Sequence, residues 1–238
     1  MACAGCDLSA AGGRIASVAR TTGNGLWGDR PMIIMTSDGL SSGRLMQEAK
    51  RYVRPGRAAL VVTADPVYKE RNYHVPRLTR ELEALGLSVE LFDFDTQMPQ
   101  DLSEYGVVEM IGGNPYYLLN AILTRGFKAA LTELAQERCL IGCSAGSVVM
   151  TPTLKLIDQY SPEMNLVGLE NLTALGLTDV QILPHYSKFL ARYEHFEAKC
   201  AQYERENQCS VIRLNDGEAV IIDQGRLMVA GGEFQARK

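Results

Sequence analysis

The chain is poor in histidine and tryptophan, with three His and one Trp in 238 residues. It also lacks a basic surplus: 24 Lys and Arg stand against 28 Asp and Glu, giving a net charge of −4. No Lys/Arg cluster forms a stripe, so nucleic acid and anionic membrane are excluded as expected partners, since both need dense positive charge. No apolar run reaches the roughly 18 to 20 residues that a membrane span requires. Of the six cysteines, Cys3 and Cys6 form a C-x-x-C with no strand before it and no second pair at zinc spacing. They read as two thiols in a loose leader, and no metal or organic cofactor is expected. Cys139, Cys143, Cys200 and Cys209 lie in or near apolar segments and read as buried free thiols. Such usage fits a reducing compartment, the cytoplasm.

What is present is an ordinary globular composition, 46% hydrophobic and 22% charged. Residues 1–30 are rich in Gly, Ala, Ser and Thr, show little periodicity and lack the long apolar h-region of a secretory signal. They are expected to form a mobile N-terminal extension, and 31–238 a single α/β domain. Short apolar runs at 31–39, 57–65, 87–94 and 105–114 read as strands, alternating with helical spacing after Ser41, over about Tyr73 to Leu85, and from Tyr117 to Arg138. Continuous apolar strands separated by helices predict a mostly parallel sheet sandwiched by helices. "TDVQILPHY" supplies a further strand, and one helix is expected from about Phe189 to Glu206. The end of the chain alternates around Asp216-Gly217 and Gln224-Gly225, which predicts C-terminal antiparallel hairpins.

The stretch "IGCSAGSVV", 141–149, carries the chemistry. Gly142 and Gly146 flank Ser144 just after a strand and just before a helix, the context of a nucleophile elbow. Cys143 is a rival nucleophile, but its neighbours two residues away are Ile141 and Ala145, so the glycine register selects Ser144. A serine needs a base. His185 follows a predicted strand and would stand at the same sheet edge, whereas His74 and His195 fall in or beside helices and read as solvated. The Gly112-Gly113-Asn114 turn after another strand could bare backbone N–H groups for an oxyanion. The Ala145 N–H, at the start of the helix after the elbow, would point where an oxyanion forms.

Together, G-G-N before a Leu-Leu helix, G-C-S-A-G-S, a strand ending Pro184-His185 and "DGEAVIID" resemble the S51 serine peptidases, the dipeptidase E and cyanophycinase family. The resemblance spans residues 31 to about 230. It implies a scaffold similar to class I glutamine amidotransferases and a serine-type exopeptidase or dipeptidase. The substrate would be a small peptide or isopeptide, and the protein a monomer or homodimer. It places the nucleophile on Ser144, the histidine on His185 and the acidic third member on Glu163, with Asp158 as the rival. It also implies that Gly113 joins Ala145 as an oxyanion donor and that Gly112 and Asn114 border the substrate. Two departures stand out. Pro115 occupies a position where the family often has Thr, and the arginine that pairs with an aspartyl substrate has no clear equivalent after the histidine, Arg192 being a poor match in position. The alternatives to a peptidase are an amidase-type relative, or an inactive one acting as a binding or regulatory protein.

Overall fold

The computed structural model describes residues 32–231; the leader 1–30, with Cys3 and Cys6, lies outside them. Five apolar runs pair in parallel: β1 (Met32–Thr36), β2 (Gly56–Val61), β3 (Leu87–Phe92), β4 (Val107–Met110) and β5 (Cys139–Cys143). Two more strands, β8 (Glu218–Asp223) and β9 (Arg226–Gly231), add on antiparallel, giving the order β3-β2-β4-β5-β1-β8-β9. Every residue of β1, β4 and β5 is buried, as strands covered on both faces must be. The mostly parallel α/β sheet expected from the sequence is therefore present. The β8–β9 hairpin turns at Gln224-Gly225, both at positive φ (50° and 78°), which suits a tight two-residue loop.

The connecting helices are α1 (Gly43–Ala49), α2 (Val75–Glu83), α3 (Pro115–Thr124) and α4 (Phe127–Glu137). Their apolar positions meet the sheet at helical spacing, Leu78 and Leu82 of α2 being fully buried. Ser42 caps α1 by accepting the Leu45 N–H, and Asn114 caps α3 by accepting the amides of Tyr116 and Tyr117. Pro115 takes the first helical position of α3, where its missing N–H costs nothing.

Beyond α5 (Ala145–Val148) and α6 (Lys155–Asp158), the architecture departs from expectation. β6 (Gln181–Leu183) does not join the main sheet. It pairs in parallel with β7 (Val211–Arg213) as a separate two-stranded sheet. Asp216-Gly217 is accordingly no hairpin: the chain leaves β7 in one sheet and enters β8 in the other. The helix expected from Phe189 to Glu206 is two helices, α7 (Tyr186–Arg192) and α8 (Phe196–Asn207), separated by His195 at φ 56°. The break frees each helix for its own partner. Glu197 and Glu204 of α8 clamp Arg213 of β7, with Nη1 and Nη2 of Arg213 at 2.8 and 3.0 Å from the Glu204 carboxylate. α7 is left to line the cleft described below.

Candidate active site

β5 ends at Cys143, and the chain turns into α5 through Ser144, which sits at φ 49°, ψ −106°. Such a conformation costs a non-glycine residue about 1–3 kcal/mol and persists only when its surroundings enforce it. Here they do. Thr36, the last residue of β1, takes the Ser144 N–H on its carbonyl at 3.1 Å and the Ser147 hydroxyl at 2.8 Å. Its own hydroxyl donates to the Gly142 carbonyl at 2.8 Å. A Cβ on Gly142 would lie 2.5 Å from the Ser147 nitrogen, and one on Gly146 2.1 Å from the Met110 carbonyl. The flanking glycines therefore serve a close crossing of β4, β5 and α5, and that crossing is what turns Ser144 outward. Cys143 is buried, which pushes its thiol up and keeps it protonated.

His185 stands two residues beyond β6, also in left-handed backbone at φ 56°. Its Nε2 is 2.9 Å from the Ser144 Oγ, and its Nδ1 is 2.6 Å from Oδ1 of Asp216. Asp216 follows β7, so the parallel pairing of Leu183 with Arg213 delivers His185 and Asp216 side by side. The Leu214 N–H donates to Leu183 and the Tyr186 N–H to Leu214, which lock that juxtaposition. Partial burial works against ionisation of Asp216. The Lys188 ammonium on its Oδ2, then the His185 ring and the Ser37 hydroxyl, nonetheless hold the carboxyl below the ordinary aspartate range.

The carboxylate against His185 is therefore Asp216, where Glu163 was expected. Glu163 is exposed on the short 3₁₀ turn Pro162–Met164, and among the described residues it makes no hydrogen bond or ion pair with the imidazole. Its segment is tied toward α3, where Asn114 Nδ2 donates to the Met164 carbonyl at 2.7 Å. Asp158, the rival, accepts the Tyr116 hydroxyl at 2.9 Å. Both acids thus lie on the β4 side of the elbow, whereas Asp216 arrives from the β8 side. In the sequence, Asp-Gly within alternating apolar residues is the strongest short hairpin signal, and it concealed this contact with His185.

Of the two expected oxyanion donors, Gly113 lies at the surface and Ala145 is buried. Gly113 is exposed at φ 150°, and a Cβ there would lie 2.4 Å from the Ala64 carbonyl. Among the described residues neither the Gly113 nor the Ala145 N–H has an acceptor. Gly112 packs against Ser144, close enough that a Cβ on it would fall 3.3 Å from the serine Cβ. The Asn114 side chain is engaged within the protein: its oxygen caps α3 and its amide donates to the Met164 carbonyl.

Next to His185 and Asp216 opens a cleft of about 430 Å³, bordered by Tyr73, His74, Arg77, Lys188 and Arg192 among others. His74, expected to be solvated, instead lines this cleft and lies against the Tyr73 ring at a tilt of 38°, with ring centroids 3.9 Å apart. Burial, then the nearby Arg77, lowers its pKa and favours the neutral ring. Arg77 pairs with Glu81 and Lys188 with Asp216, while Arg192 makes no ion pair among the described residues and lies over the Tyr193 ring at 5.3 Å. Among the described residues no group of three His, Cys, Asp or Glu is arranged to hold a metal ion, and no helix is long and apolar enough to cross a membrane.

A strained serine at a strand-to-helix turn, bonded to an imidazole that is bonded in turn to a carboxylate, defines the class of α/β proteins with a serine elbow. The model of peptidase family S51 matches residues 45–230, and the chain belongs to that family. An uncharacterized peptidase of Listeria monocytogenes is 31% identical over 137 residues, 56% of this chain and 67% of that protein. Peptidase E of Streptomyces coelicolor is 30% identical over 141 residues (57% and 56%), and that of Escherichia coli 25% over 181 residues (74% and 77%). The chain thus aligns with between 56% and 77% of these relatives' own lengths. The crystal structure of a Listeria monocytogenes protein assigned to peptidase E shares the fold, with a TM-score of 0.70 at 22% identity over 86% of this chain and 100% of that one. A peptidase from an acI-B1 Actinobacterium does so at 0.64 and 17%, over 87% and 90%.

Proposed function

We propose that this peptidase is a serine-type exopeptidase or dipeptidase of the cytoplasm, cleaving a small peptide or isopeptide through Ser144, His185 and Asp216. The observation that carries the proposal is the continuous chain from Ser144 Oγ to His185 Nε2 (2.9 Å) and from His185 Nδ1 to Asp216 (2.6 Å). Ser144 attacks the scissile carbonyl as Nε2 takes its proton, and the imidazolium then returns that proton to the leaving amine. Asp216 keeps the Nδ1–H in place, so the Nε2 lone pair faces the serine, and it offsets the charge that develops on the ring. The Ala145 and Gly113 N–H groups bind the tetrahedral oxyanion. Water then releases the acyl group by the same proton path.

The cleft suggests the substrate's character. With Arg77 and Lys188 already paired, Arg192 is the cation available to a carboxylate on the peptide. Arg192 borders the site despite its unexpected sequence position, and Pro115 fits α3, so neither departure argues for an inactive or amidase-type relative.

A screen of dipeptides with N-terminal Asp, Glu, Met or Leu, together with isoaspartyl and β-linked peptides, tests the proposal against Ser144→Ala as control. Turnover of acidic peptides is expected, and Arg192→Gln should raise their KM about tenfold with kcat little changed. Equal turnover of Leu and Asp peptides would remove the carboxylate preference, and turnover by Ser144→Ala would remove the mechanism.

A further inference from the structure

We propose that Ser37 is a positioning residue of this site, its buried hydroxyl setting both the place and the basicity of the His185–Asp216 pair. The inference rests on the catalytic role proposed for that pair. Ser37 follows β1 directly and is fully buried, in a segment whose sequence, Thr36-Ser37-Asp38-Gly39, reads as no more than a strand end. Its Oγ accepts the backbone N–H of His185 at 2.9 Å and donates to Asp216 Oδ1 at 3.0 Å. The same carboxylate oxygen receives the Nδ1–H of His185, and the direct contact from Ser37 to Nδ1 is longer, 3.5 Å. One hydroxyl therefore touches the backbone of the base and the carboxylate that orients it. A buried hydroxyl with its one proton committed to Asp216 can receive the His185 amide only in this arrangement.

The neighbouring residues brace the same junction. The Ser37 N–H donates to the Glu218 carbonyl at 3.0 Å, and the Gly217 N–H donates to Asp38 Oδ1 at 2.8 Å. Ser42 Oγ donates to the Gly217 carbonyl at 2.9 Å. Thr36 meanwhile holds the serine elbow from the other side. Two successive residues at the end of β1 thus fix the nucleophile and its base relative to each other, although they come from different sheets.

The chemical consequence concerns the carboxylate. An O–H donor on Oδ1 spreads its negative charge, which weakens its hold on the imidazolium. Without that donor the carboxylate favours the protonated ring more strongly, so His185 becomes available as a base only at higher pH. The probe is a fluorophosphonate, whose covalent capture by Ser144 needs the base but no knowledge of the natural peptide. The inactivation rate of Ser37→Ala, followed from about pH 5 to 9, is expected to fall about tenfold on its plateau, with the acidic limb displaced upward by about one pH unit. Ser37→Cys fills the same space with a weak donor, should show the same displacement, and serves if the alanine variant does not fold. Ser37→Thr, which keeps the hydroxyl, should restore the parent limb. A slower rate with an unmoved limb, or a parent-like rate, would overturn the role of Ser37. Absence of any labelling in the unsubstituted protein would instead overturn the catalytic reading on which it rests.

Discussion

Asp216→Asn is expected to lower kcat by roughly four orders of magnitude while the protein stays folded, whereas Glu163→Gln should leave turnover near that of the parent. The asparagine fills the same space, but its amide can offer N–H toward His185 Nδ1. The imidazole proton then moves to Nε2, and the ring no longer has a lone pair directed at Ser144. Catalysis fails because the tautomer is wrong, with geometry nearly intact. Glu163 is exposed and makes no bond to the imidazole, so its neutralisation removes nothing from the proton path. Steady-state kinetics of the two variants, with circular dichroism to confirm folding, separate the candidates. A severe loss in Glu163→Gln with a mild one in Asp216→Asn would reverse the assignment.

This contrast also marks where the sequence stops informing. The parallel sheet was legible because β1, β2, β4 and β5 are nearly continuous apolar runs between helical segments. Ser144 was legible because glycine at both flanks follows from close packing that no other residue permits. His185 stood out by scarcity. The acid did not, since acids are abundant, and Asp216 is brought to His185 by the pairing of β6 with β7, two strands well separated along the chain. Three-residue strands of this kind leave little periodic signal. Nor does an isolated Ser after a strand reveal that its hydroxyl will meet residues 148 and 179 positions away. His74 looked solvated for a related reason: the cleft it lines is built by α7, and the kink at His195 that frees α7 is invisible in a continuous helical pattern.

The second large effect concerns stability. Glu109 lies in β4, fully buried between Leu60 of β2 and Ile141 of β5, and neither of its carboxylate oxygens has a hydrogen-bond partner. Burial, reinforced by the nearby Glu81 carboxylate, pushes its pKa up to about 8. Below pH 4.5 both folded and unfolded chains hold the proton, and Glu109 adds no pH dependence. Between 4.5 and about 8 the unfolded chain has lost it and the folded chain keeps it, so unfolding releases a proton and stability falls as pH rises. The slope is about 1.4 kcal/mol per pH unit, for a total near about 5 kcal/mol across the window. Glu109→Gln, which cannot ionise, should flatten that part of the profile and be the more stable protein at about pH 8. Burial also raises Glu81, giving a contribution of the same sign, but it is common to both chains and cancels in their difference. Urea denaturation from about pH 5 to 9 checks this, and identical slopes for the two chains would refute it.

The central claim is that the Ser144 hydroxyl is the nucleophile, made reactive by His185. Its most direct test is to treat the protein with a fluorophosphonate, digest it, and locate the adduct by mass spectrometry. One phosphonyl group per chain should map to Ser144, form far more slowly in His185→Ala, and be absent from Ser144→Ala. An adduct on any other residue, or an unmodified Ser144 after prolonged exposure, would contradict the account.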